Sequence, residues 1–177
     1  MNFDINQQQA GTINNVNGAQ IHYHDHLIII DPVEMANLID SFYSHVDGFC
    51  EAIQDTSSLK RTKIEKKNEL NGMSNYYYET SIKEYFISFM QVKEFLGDPI
   101  NIKHKRRYNY IRREINSKLA AYKERFPNFD QAIEHLTSNY IERINGDFEK
   151  KELVRTFIAY MYFMCEIGKT IDEEGEV

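Results

Sequence analysis

The sequence predicts a mainly α protein, a bundle of about five helices preceded by an N-terminal β-hairpin arm. Three observations predict it. From residue 32 onward, apolar residues recur at spacings of three and four. Helix stops and starts punctuate that stretch at Asp31-Pro32, Gly97-Asp98-Pro99, Pro127 and Asn145-Gly146-Asp147. Before it lies a polar opening whose few aliphatics flank Asn17-Gly18, a two-residue hairpin signal because both positions tolerate positive φ. The chain has 177 residues, 42% of them hydrophobic and 27% charged, which fits one folded domain with an arm. We divide it into residues 1–30, an oligomerisation arm, and 31–177, the helical bundle.

Taken in order, the arm reads as strands at about 11–16 and 19–30. A lone hairpin is marginal in water, so this one is expected to pair with other chains or dock on the helical body. Asp31 is an N-cap acceptor, Pro32 suits the first helical position, and Glu34 falls where a capping box places its acid. The first helix is expected over 32 to about 54. Its seam, Met35, Ile39, Phe42, Val46, Phe49 and Ile53, is narrow enough for pairing with a partner helix. A basic polar segment from Lys60 to Asn71 leads to Gly72. The second helix, about 75–96, lines one side with Tyr78, Ile82, Tyr85, Phe89 and Leu96. The third, about 101–125, buries Tyr108, Ile111, Ile115, Leu119 and Tyr122 beneath a basic outer face. Asn128 caps a shorter helix to about 143, with Phe129, Ile133, Leu136 and Tyr140 inward. The last helix, about 148–169, is apolar nearly all round at 157–165 and should be the most buried.

Charge is segregated along the chain. Residues 1–59 hold eight acids and no Lys or Arg, 60–125 carry a net charge of +8, and 126–177 a net charge of −6. The acidic first third can therefore attract the basic middle third, within a molecule or between molecules, over a screening length of roughly 8 Å. Lys105, Arg106, Arg107, Arg112 and Arg113 lie on the basic helix, which could meet an acidic protein surface or follow a phosphate backbone.

Several chemistries find little support. Cys50 and Cys165 form neither a CxxC pair nor a disulfide framework, which points to a reducing, cytoplasmic setting. The longest apolar run is well short of the roughly 20 residues of a membrane span. No phosphate-binding glycine motif is present, and no cofactor is expected. His22, His24 and His26 would share one strand face at steps of about 7 Å. They are weak metal candidates, because three ligands on one strand rarely converge on one tetrahedral ion. An exposed polar strand is the plainer reading. His45, His135 and both thiols read as ordinary helix residues, so the protein is expected not to be an enzyme.

Two resemblances extend this reading. The spacing Gly11-x-Ile13-x-x-Val16-x-Gly18-x-x-Ile21 resembles the short amyloid-signalling motifs of bacterial and fungal immune proteins, in which identical chains stack in register. A longer likeness runs through Lys67-Asn68-x-Leu70-Asn71-Gly72-Met73-Ser74-x-x-Tyr77, Phe95-Leu96-x-Asp98-Pro99-x-Asn101, Tyr108 and Arg125-Phe126-x-x-Phe129. It closes on Tyr160 to Lys169, with the spacing Met161-Tyr162-x-x-Cys165-x-Ile167-Gly168. That order resembles the helical C-terminal domains of the ABC three-component systems of bacterial conflict, with Glu166 where the family carries Asp. The resemblance implies antiphage defence alongside an SMC-like ABC ATPase and an effector; it supplies no catalytic residue. The expected function is an interaction or adaptor subunit. Ile13, Val16, Ile21 and Tyr23, with Ile39, Phe42 and Val46, would carry self-association, and the helical body would dock on partners. A nucleic-acid sensor using the basic helix is the alternative.

Overall fold

A computed structural model describes residues 30–44, 63–144 and 148–170. Among them no strand occurs, and the fold is an all-α bundle with one continuous core. The expected hairpin lies outside the described residues.

Helix α1, Pro32–Tyr43, starts as its residues dictate: Asp31 Oδ1 accepts from the Val33 amide at 2.6 Å and the Glu34 amide at 3.4 Å, with Pro32 in the first turn. Ser44 caps it, and the remainder of the expected span lies outside the described residues. Met35, Leu38, Ile39 and Phe42 are all buried in the chain's own core. Phe42 stacks on Tyr140 with ring centroids 4.2 Å apart and meets Phe157 edge-on. The described part of the seam thus packs within the chain, chiefly against the long helix that carries Tyr108 and Ile111.

Helix α2, Ile64–Asn71, stands where only a basic polar segment was expected. Its core-facing residue is Lys67, fully buried, so no apolar stripe announces it. It ends on Gly72 at φ +69°, where the Gly72 amide donates to Glu69 O at 3.1 Å and the Met73 amide to Asn68 O at 2.9 Å, a Schellman closure.

The helix expected over 75–96 is a composite. A short turn α3, Asn75–Tyr77, runs into a π turn, Tyr78–Ile82, a 3-10 stretch, Lys83–Ser88, and then α4, Phe89–Gly97. The five residues expected inward are nevertheless buried. Two acids from the last two helices help fix this irregular segment: Tyr77 OH donates to Glu134 and Tyr85 OH to Glu152, each at 3.0 Å, and Arg155 sits between the two carboxylates. Asn101 closes α4 by donating to Phe95 O at 3.0 Å.

Helix α5, Ile102–Tyr122, buries Tyr108, Ile111, Ile115 and Leu119 as expected, while Tyr122 is half-buried. Asn128 Oδ1 accepts from the Gln131 amide at 2.9 Å and opens α6, Phe129–Ile144. Helix α7, Phe148–Phe163, is the most buried, with Val154, Phe157, Met161 and Tyr162 fully enclosed. It stops six residues before the expected Lys169. Cys165, at φ +61°, takes the left-handed closing position usually held by glycine. Its amide donates to Tyr162 O at 3.0 Å, and the Glu166 amide to Met161 O at 2.9 Å. Cys165 therefore lies past the helix, half-buried, rather than inside it.

Candidate functional site: a clasp and its groove

The turn at Cys165 throws residues 164–170 back across α2 and α5, and side chains from both helices hold them there. Lys67 is the centre. Its Nζ donates to Tyr162 O, the carbonyl already engaged by Cys165, and lies 3.9 Å from the centroid of the Tyr162 ring. Burial pushes the Lys67 ammonium down to about 7, against the opposing pull of Cys165 and Glu166. Tyr162 OH donates to Asn68 Oδ1 at 2.9 Å, so α2 grips both ends of that residue. Desolvation holds the Tyr162 hydroxyl well above the ordinary tyrosine range.

Two asparagines complete the clasp. Asn71 donates to Lys67 O at 2.8 Å and Lys169 O at 3.0 Å, and accepts from the Lys169 amide at 2.7 Å. Asn116 donates to Glu166 O and accepts from the Gly168 amide, each at 2.9 Å. Gly168 lies at φ +78°, where a Cβ would come within 2.9 Å of Asn71 Oδ1. The residue is required for the close approach of the closing segment to Asn71. Ile167 is fully buried, and Glu166 accepts from Tyr108 OH. Burial first, then the adjoining Glu166 carboxylate, raises the Tyr108 hydroxyl well above its ordinary value.

Beside the clasp runs an open groove of about 490 Å³, a size typical of ligand sites. Leu119, Tyr122, Phe126, Phe129 and Ala132 form its apolar lining. Lys123 and Lys169 stand on it, both exposed, and no carboxylate side chain lines it among the described residues.

The basic helix is partly committed elsewhere. Arg107 pairs with Asp40 on α1 and lies 5.0 Å from the centroid of the Tyr43 ring; His104 Nε2 is 3.5 Å from the same carboxylate. Burial alone would raise the Asp40 carboxyl, but the Arg107 hydrogen bond and charge hold it below the ordinary 3.8. The expected attraction between acidic and basic thirds is thus realised within the molecule at this contact. Lys105 and Arg106 are exposed, while Arg112 and Arg113 are half-buried. Ile39 and Phe42 lie in the core. Ile13, Val16, Ile21, Tyr23, Val46, His22, His24 and His26 lie outside the described residues.

The structure gathers residues that the sequence held far apart. The likeness strings quoted above supply Lys67, Asn68, Asn71, Tyr108, Tyr162, Cys165 and Gly168 to the clasp, and Phe126 and Phe129 to the groove. Asn116 carried no signal in the sequence: a lone Asn in a helix reads as surface. Residues 24–168 match the family described as C-terminal domain 12 of the ABC-three component (ABC-3C) systems. No curated protein and no solved structure matches the chain.

Proposed function

The chain belongs to the family of C-terminal domain 12 of the ABC-three component systems, and on that premise we propose that it is a non-enzymatic interaction subunit of an antiphage defence complex. Its helical body docks on other components, and residues 1–30 join copies of the chain through strand pairing carried by Ile13, Val16, Ile21 and Tyr23. The observation that carries this reading is the family match over most of the body, joined to what the residues inside the matched range do in the fold. They fasten a closing segment and shape an adjoining groove, which are the tasks of a scaffold that presents a surface. The polar opening supports the assembly half. Its aliphatics are too few for a core of their own, and its backbone groups gain partners by pairing with a sister strand.

Light scattering of the full-length protein tests assembly. The expected mass is a multiple of 21.0 kDa, falling to a single copy when Ile13, Val16, Ile21 and Tyr23 are all changed to Asn. A wild-type chain at 21.0 kDa across a wide concentration range would defeat it.

A second reading, nucleic-acid sensing, is favoured by the exposed neighbours Lys105 and Arg106 on α5. Changing Lys105, Arg106, Arg112 and Arg113 to Glu should abolish retention of DNA or RNA in a mobility-shift assay. An unshifted wild-type protein at low salt would remove this reading.

A further inference from the structure

The groove beside the clasp has a definite chemical character. One wall is the last turn of α5 with the chain beyond it: Leu119, Ala120, Tyr122, Lys123 and Phe126. Phe129 and Ala132 of α6 and the closing segment at Gly168 and Lys169 make the rest. The amides of Asn71 and Asn116 that border it are turned to the clasp, where each makes the hydrogen bonds given above, so the lining offers chiefly ring and aliphatic surface. Lys123 and Lys169 form no ion pair with any carboxylate among the described residues. An apolar trough with two ammonium groups that no described carboxylate answers is complementary to a segment that brings both an apolar side chain and carboxylates.

We propose that this groove docks an extended, acidic peptide segment of another component of the system, one apolar side chain lying against Tyr122, Phe126 and Phe129 and its carboxylates meeting Lys123 and Lys169. The proposal rests on the reading of the chain as an interaction subunit and adds where the partner sits and what it looks like. The clasp gives the site its rigidity. Lys169 is held through its backbone by Asn71, so its ammonium is presented from a fixed base. Ordering fewer groups on binding leaves more of the contact energy as affinity.

The test uses the full-length chain and a random peptide library displayed on phage, followed by anisotropy measurements on the best labelled peptide. The enriched sequences should combine Asp or Glu with Leu, Ile or Phe. Ala120→Trp, at an exposed position lining the groove, should fill it and weaken binding at least about tenfold, without touching the core. The double change K123E/K169E should weaken the acidic peptide similarly and turn selection toward basic sequences. Enrichment without acids, or equal binding by the A120W chain, would overturn the proposal. So would a peptide that binds only after Asp172, Glu173, Glu174 and Glu176 are changed to their amides, because the groove would then belong to the chain's own end. None of these outcomes alters the mass measured by light scattering, so the assembly reading stands or falls separately.

Discussion

Lys67 is the residue whose chemistry departs furthest from its type. Fully enclosed, it keeps its ammonium only until about pH 7, whereas in the unfolded chain it holds the proton to 10.5. Between those values the unfolded state binds the extra proton, so stability rises with pH through that window. The buried tyrosines act in the opposite sense. The Tyr108 and Tyr162 hydroxyls are raised above 10.0, so their stabilising contribution is present below that value and is lost as pH climbs past it. Urea midpoints should therefore climb from about pH 7 to about pH 9.5 and fall beyond 10. Lys67→Met, which keeps the stem and removes the ionisable group, should flatten the rising limb. A K67M chain with the wild-type slope would show that another group drives it. Lys67→Ala also removes the ionisable group and opens a void worth about 2–4 kcal/mol, so its cost relative to the wild type should grow as pH rises above about 7.

At the scale of the element, the sequence was most legible where the inward stripe was apolar. Helices α5 and α6 fall within a few residues of expectation because Ile111, Ile115, Ile133 and Leu136 carry an unbroken period, and Asn128 caps α6 as its type requires. Helix α2 went unread because its inward residue is a lysine, and periodicity counts lysine as surface. Helix α7 was read too long because its left-handed closing residue is Cys165, not glycine. Among the described residues, the two glycines at positive φ, Gly72 and Gly168, are not equivalent. At Gly72 the space around a Cβ is open, so Ala there should cost only the backbone strain, about 1 kcal/mol. At Gly168 the same strain is joined by a collision with Asn71, which anchors Lys169. Gly168→Ala should therefore cost about 2–3 kcal/mol and loosen the segment after α7. Hydrogen exchange at the Gly168 and Lys169 amides reads that loosening directly. Equal losses for G72A and G168A would contradict the clasp.

The whole molecule divides its labour between a body that is fully packed and surfaces that are not. Its charge asymmetry was legible in the sequence, and one line of it, Asp40 to Arg107, is closed between α1 and α5. The groove was not legible, because Leu119, Phe126, Phe129 and Ala132 sit on helical stripes that look like core. Only the position of the closing segment leaves them facing an open trough. Membership of a three-component system and a surface of this kind make one shared claim, that the chain works through physical contact with other components. Affinity purification of the tagged full-length chain from cells expressing the complete system tests it most directly. At least one other component should co-elute with the chain in fixed ratio through a subsequent size-exclusion step. A chain that emerges free of every other component, with all of them present in the lysate, would contradict it.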